Sequence, residues 1–378
     1  MTTTAASYHT IIKPSGAQCN LDCTYCFYLS KEGLLSQPKA PRMPDDVLEA
    51  HIRQYIESQS GPEVVFTWQG GEPTLMGLAF FERVVELQAQ YKKPGQRVEN
   101  DLQTNGVLLD ARWAAFLKAN NFLVGLSIDG PRDLHDLYRR AKGGQPTFDR
   151  VMAAAALLRE HGIVFNALCV VNDANAKRPL DTYRFLRDEV RPRVIQFIPA
   201  IAPGTGDTLV EPWSVVAEEW GTFLAAVWDE WFSRDFGDTF VDQFENVVSM
   251  MVRKGSQMCV TAPTCGRGLA IEFNGDLYSC DHFVYPEHRL GNIRDTDEGV
   301  LARSEAQAAF GNAKRDTLPN YCKSCRFLEL CWGECPKNRF IATPDGEPGL
   351  NYLCAGLKTF YGKATSDYPQ LVQRLGRV

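Results

Sequence analysis

From Tyr8 to about Pro199, short runs rich in β-branched and aromatic residues alternate with longer stretches whose apolar positions recur at helical spacing. That is the pattern of repeated βα units around a parallel sheet. Tyr8 to Lys13, Val64 to Trp68, Arg97 to Gln103, Phe122 to Ser127, Ile163 to Val171 and Arg193 to Ile198 predict strands. Between the first two, Asp45 to Gln59 predicts a helix, opened by Pro44 and by two acidic residues suited to the positive end of the helix dipole. Six such units predict an α/β fold in the form of a partial, TIM-like (β/α)6 barrel. In such folds chemistry gathers at the carboxyl ends of the strands, so the loops that follow them are searched first.

After Pro203-Gly204 the pattern changes to helical stretches rich in Trp and Phe, Trp213 to Phe232 and Phe240 to Lys254. The expected division is a barrel over residues 1–235 and a second part, a linker helix followed by a loop-rich domain, over 236–378. Beyond Gly255 there is a hairpin signal at Asn274-Gly275 and dense cysteine. Such a region has little core of its own, so metal is expected to hold it together.

Composition narrows the function. Hydrophobic residues make up 44% of 378, enough for a packed core, and 40 basic against 46 acidic residues leave a charge of −6 with no long basic run. Nucleic acid is therefore not an expected partner. Met1 to Thr10 lacks the charged start and apolar stretch of a signal peptide, and no later segment stays apolar for the ~18 residues a membrane span needs. A cytoplasmic protein with no membrane partner is expected. Twelve cysteines are many for a reducing compartment and point to metal ligation or chemistry. Cys169 stands alone within an apolar strand and reads as a small buried residue.

Cys19-Asn-Leu-Asp-Cys23-Thr-Tyr-Cys26 places CxxxCxxC directly after the first expected strand. Three thiolates can ligate three irons of a 4Fe-4S cluster and leave the fourth iron open; a zinc loop short of its fourth ligand is the competing account. Gln69-Gly70-Gly71-Glu72-Pro73 follows the second strand, Gln103-Thr104-Asn105-Gly106 closes the third, and Ser127-Ile128-Asp129-Gly130 closes the fourth. Taken alone, these are turns and caps. The remaining cysteines run Cys259-x5-Cys265-x14-Cys280, then Cys322-x2-Cys325-x5-Cys331-x3-Cys335, and Cys354. Eight thiolates saturate two four-iron clusters, or alternatively two zinc ribbons.

With Tyr25 just before its last cysteine, the first motif resembles the signature of the radical S-adenosylmethionine superfamily. The resemblance implies that the open iron at Cys19, Cys23 and Cys26 binds the amino and carboxylate groups of S-adenosylmethionine, whose reductive cleavage gives a 5'-deoxyadenosyl radical. Gln69, Gly70, Gly71 and Glu72 then match the family's GGE motif beside the methionine amino group, Ser127 the contact to ribose or methionine, and Arg139 the contact to the carboxylate. Tyr25, Asn105 and Asp129 complete the implied cofactor site. CxxCxxxxxCxxxC resembles the SPASM extension of radical enzymes that act on peptides. That resemblance assigns Cys259, Cys265, Cys280 and Cys335 to a nearer auxiliary cluster and Cys322, Cys325, Cys331 and Cys354 to a farther one, giving three 4Fe-4S clusters in all.

Ile11-Lys-Pro to Phe27-Tyr28, Gln69 to Pro73, Leu102 to Gly106, Gly125 to Pro131, Tyr278 to His282 and Leu290 to Ile293 together resemble the anaerobic sulfatase-maturating enzymes. This implies oxidation of a Cys or Ser in a C/S-x-P-x-R context of an unfolded or nascent sulfatase to formylglycine. Asp281 would be the general base, and a flavodoxin- or ferredoxin-like protein the electron donor. His282 is read as structural. Two rivals stay open: a SPASM-type maturase that crosslinks or epimerises another ribosomal peptide, and a non-enzymatic iron-sulfur or zinc protein.

Overall fold

The computed structural model describes residues 8–376, so Met1 to Ser7, on which part of the expectation of an unexported start rests, lie outside it. Its contacts group the chain into two compact units that interleave along the sequence. One holds the described residues up to Ser127 with Tyr138–Asn166 and Gly266–Gly311; the other holds Ile128–Leu137, Ala167–Cys265 and the described residues from Asn312 onward. Each expected strand is present with its ends shifted by no more than two residues: β1 His9–Lys13, β2 Glu63–Trp68, β3 Arg97–Thr104, β4 Leu123–Ser127, β5 Phe165–Val171 and β6 Val194–Pro199.

In the first unit β1 to β4 are parallel neighbours, with Ile11 opposite Thr67 and Thr67 opposite Asp101. The alternation along β2 explains its two faces. Val64, Phe66 and Trp68 are buried, and their rings meet Tyr55 and Phe81 of the helices Asp45–Ser58 and Leu78–Tyr91. The intervening Thr67 points the other way, where its hydroxyl donates to the Asp101 carboxylate at 3.2 Å. That face is mixed, with Val65 beside Thr67 on β2 and Ile11 opposite it on β1. The hairpin expected at Asn274-Gly275 joins β8 (Gly268–Glu272) to β9 (Asp276–Tyr278), with Gly275 at φ +88°, and β10 (Arg289–Asn292) follows antiparallel. Here the structure departs from the sequence reading. β8 lies parallel to the free edge of β1, His9 opposite Gly268 and Lys13 opposite Glu272, so this part of the loop-rich segment shares the core of the first strands. An edge covered by a buried Leu-Ala-Ile strand is no longer open to water.

In the second unit β5 and β6 continue in parallel to a two-residue strand β7 (Phe240–Val241), which pairs with Val194 and Ile195. Where the sequence predicts a helix from Phe240, the helix therefore starts at Asp242 and ends at Met251. The Trp-rich helix runs Ala217–Glu230 and closes in a π turn, Trp231–Asp235. It packs on the helix Cys354–Ser366 at backbone distance: a Cβ on Gly356 would fall 1.8 Å from the Ala217 carbonyl oxygen, and one on Gly221 2.3 Å from that of Gly356. Cys169 is fully buried, as expected of a small apolar residue. Among the described residues no helix is long and apolar enough to cross a membrane.

Candidate active site and cluster-binding cysteines

The loop that carries Cys19, Cys23 and Cys26 leaves β1 through the turn Pro14–Ala17 and is held by its neighbours' backbone. Gly71 N–H donates to the Gly16 carbonyl and Glu72 N–H to that of Gln18, both at 2.8 Å. A Cβ on Gly71 would sit 1.9 Å from the Gln18 oxygen, and one on Gly70, at φ +128°, 2.9 Å from the Gly16 oxygen. The two glycines are demanded by the close packing of two loops, whatever else they approach. Glu72 is fully buried. Its carboxylate accepts from the Thr74 N–H and hydroxyl (3.0 and 2.6 Å), the Thr104 hydroxyl (2.8 Å) and the Asn105 N–H (2.8 Å). The structure gives it the work of tying the second loop to the third. Burial raises its pKa and these donors oppose the rise.

Asn105 in turn donates to the Asn20 side chain at 2.7 Å and lies 3.8 Å from the Cys19 sulfur. The Arg139 guanidinium donates to the Tyr25 hydroxyl at 3.0 Å, both residues being buried. Ser127 ends β4 and is nearly buried. Asp129 belongs to the second unit, where its fully buried carboxylate accepts from the Val170 N–H at 3.0 Å and its carbonyl from Asn175; there it braces the backbone. The Cys19 thiol is pushed up to about 12, first by burial and then by Glu72, Cys23 and Cys26. Thiols that oppose each other's ionisation in this way become thiolates when a cationic centre sits among them, and this donor set suits iron or zinc.

Asp281 opens a short 3-10 turn after Cys280 and is 13% exposed, so it is reachable from solvent. Its carboxylate pairs with the Lys13 ammonium, at the carboxyl end of β1; Lys13 is buried, donates to the Gln69 side chain at 2.6 Å and lies 4.4 Å over the Tyr28 ring. Gln69 continues the chain of contacts to Gln103. Below the ammonium, the Tyr28 hydroxyl donates to Glu272, whose other oxygen accepts from Gln37 at 3.1 Å. Burial pushes the Glu272 carboxyl up to about 7 against the pull of Tyr28 and Lys13. Tyr28, Ala17, Ala270, Tyr278 and Val284 form the apolar patch that seats the turn bearing Asp281. His282 is packed edge-on against Phe27 at 5.3 Å. The sequence reading assigns no role to Lys13, Tyr28, Gln37 or Glu272. A charged residue at the end of each of the apolar strands Thr10-Ile-Ile-Lys13 and Leu269-Ala-Ile-Glu272 is the signal that finds two of them.

In the second unit Cys322, Cys325, Cys331 and Cys354 line a single cavity, walled mainly by Phe327, Leu328, Leu350, Leu357 and Tyr361 with Asn351 and Lys358 beside them. This fits the four ligands of one cubic cluster. Cys259, Cys265 and Cys335 also lie close enough to influence one another's charge, while Cys280 belongs to the first unit. Burial drives the Cys331 thiol up to about 12 and that of Cys335 to about 11. Among the described residues no three His, Cys, Asp or Glu side chains are gathered as tightly as a lone metal ion requires.

Residues 14–186 match the Radical SAM superfamily model and 259–326 the model of the SPASM iron-sulfur cluster-binding domain. The chain is 44% identical to a serine-type anaerobic sulfatase-maturating enzyme of Bacteroides thetaiotaomicron, over 94% of this chain and 89% of that one. It is 34% identical to a cysteine-type anaerobic sulfatase-maturating enzyme of Clostridium perfringens, over 96% of each. The fold superposes on a solved structure of native anSMEcpe with bound AdoMet and the Cp18Cys peptide with a TM-score of 0.87, at 32% identity, covering 98% of this chain and 99% of the other.

Proposed function

The chain belongs to the anaerobic sulfatase-maturating enzymes of the radical S-adenosylmethionine superfamily, and on that premise we propose that it oxidises a Cys or Ser in a C/S-x-P-x-R segment of an unfolded sulfatase to formylglycine, with Asp281 as general base. The observation that carries this reading is the pairing of the buried Lys13 with the solvent-reachable Asp281, in the same compact unit as the CxxxCxxC loop. We propose three 4Fe-4S clusters: one at Cys19, Cys23 and Cys26, one at Cys259, Cys265, Cys280 and Cys335, and one at Cys322, Cys325, Cys331 and Cys354. A flavodoxin- or ferredoxin-like protein is the proposed electron donor. The barrel and auxiliary domains are taken to divide near residue 235.

S-Adenosylmethionine and the clusters, when bound, supply the radical that takes a hydrogen atom from the target β-carbon and an acceptor for the second electron. The chain's own residues do the rest. Tyr25, Gln69, Gly70, Gly71, Glu72, Asn105, Ser127, Asp129 and Arg139 surround the cofactor, and the carboxylates of Glu72 and Asp129 also keep their loops in shape. Asp281 removes the proton from the target thiol or hydroxyl. Lys13 pairs with that carboxylate and fixes its direction. Water completes hydrolysis of the thioaldehyde formed from Cys.

The test is anaerobic reconstitution followed by incubation with S-adenosylmethionine, a reductant and peptides containing C-x-P-x-R or S-x-P-x-R. Formylglycine in either peptide, accompanied by 5'-deoxyadenosine, is expected. Cofactor cleavage that leaves both peptides intact would turn the reading toward a maturase of another peptide. With Asp281→Asn, cofactor cleavage is expected to persist while aldehyde formation falls by about 10²-fold or more; an unchanged aldehyde rate would remove Asp281 from the mechanism.

A further inference from the structure

Cys331 and Cys335 are separated by Trp332, Gly333 and Glu334, and the two-cluster reading gives these cysteines to different clusters. All three intervening residues are left-handed, at φ +48°, +65° and +51°. Trp332 and Glu334 are strained there, at ~1 kcal/mol or more each, and such backbone persists only where its surroundings enforce it. The enforcing group is the Arg339 guanidinium. Its Nε donates to the Gly333 carbonyl at 3.0 Å and its Nη2 to those of Trp332 and Glu334 at 2.6 and 3.2 Å; its Nη1 donates to the Lys314 carbonyl at 2.6 Å. A Cβ on Gly333 would lie 2.7 Å from that Nη2. One planar fork thus grips every peptide oxygen of the short bridge between the two thiol sets. Its charge acts on Cys322 and Cys331 of one set and on Cys335 and Cys265 of the other.

Carbonyl oxygens satisfy the guanidinium's donors and none of these bonds goes to a carboxylate, the buried Glu334 carboxyl acting on it only through space. A fixed cation beside a four-iron cluster favours the reduced, more negative state. We propose that Arg339 raises the reduction potentials of both auxiliary clusters together, making them better acceptors of the electron that leaves the substrate. This rests on the assignment of the two four-thiolate sets, and the function assigned to the chain does not require it.

The experiment is a potentiometric titration of the reconstituted full-length enzyme, followed by paramagnetic resonance, with iron content measured for every preparation. In Arg339→Gln the reduced fraction of both auxiliary clusters at a fixed applied potential should fall on the order of tenfold, or about 59 mV for one electron. The cluster at Cys19, Cys23 and Cys26 should not move. Arg339→Lys keeps the charge without the fork and should retain most of the wild-type potential. Full iron with unmoved auxiliary potentials in Arg339→Gln would overturn the proposal. So would a shift as large in the Lys variant, or loss of iron from both variants, since either leaves Arg339 a purely structural clamp. Failure of the underlying assignment shows earlier and separately, as wild-type protein that takes up zinc or well short of about twelve irons per chain.

Discussion

The cysteines at 19, 23 and 26 and those around the Cys322–Cys354 cavity are both sets of crowded thiols, yet opposite materials surround them. The first set is flanked by hydrogen-bonding groups, Asn105, Asn20, Tyr25, Arg139 and the backbone of Gly70 to Glu72. The second faces Phe327, Leu328, Leu350, Leu357 and Tyr361. With the proposed clusters bound, three ligands among polar groups would leave a position where a polar molecule can bind and react, and four ligands among mainly apolar side chains would leave none, which suits the second group to holding an electron.

This contrast breaks most visibly at the cysteines themselves. Cys19→Ala should cut 5'-deoxyadenosine formation by at least about 10³-fold, whereas Cys354→Ala should leave cofactor cleavage standing and lose peptide oxidation. Chromatographic assay of both products checks the pair, and equal loss of cleavage in both variants would dissolve the distinction. Lys13→Met sharpens the polar side: aldehyde formation should drop by about 10²-fold while cofactor cleavage changes far less. On the apolar side Gly356→Ala should destabilise the second unit by more than about 3 kcal/mol, because two helix backbones must separate to admit one methyl group; the midpoint of chemical unfolding reads it. The smallest effect is a pH slope. Glu272 titrates near 7 when folded, above its usual 4.5, so folding takes up a proton. The stability this group contributes is present below about pH 4.5 and lost as pH rises through 7. Glu272→Gln should flatten that slope by at most about 3 kcal/mol, seen as unfolding midpoints measured from pH 4.5 to 8.

Much of this was readable from the amino acids. The runs rich in β-branched and aromatic residues mark all six barrel strands, and the cysteine spacings mark the loops proposed to carry chemistry. What escaped reading depends on partners distant in the chain. Nothing local in Phe240-Val241 reveals that it pairs with β6, so a strand hides in a helical pattern. Nothing local to the Gln69–Pro73 motif reveals that Thr104 and Asn105, some thirty residues on, donate to the Glu72 carboxylate. Lys13 resembles a solvated strand end until β8 brings Asp281 beside it.

The pairing of β8 with β1 also sets an order on synthesis. Lys13 emerges from the ribosome 268 residues before its counterion Asp281 is made, 281 minus 13. Over that interval the ammonium lacks the Asp281 carboxylate to enter the interior with, and burying it alone would be costly. The Lys13–Asp281 pair is therefore completed late, after the CxxxCxxC loop and the strands β1 to β6 exist. A fragment stopped before β8 would retain the cysteine loop without the charge balance that lets β1 close.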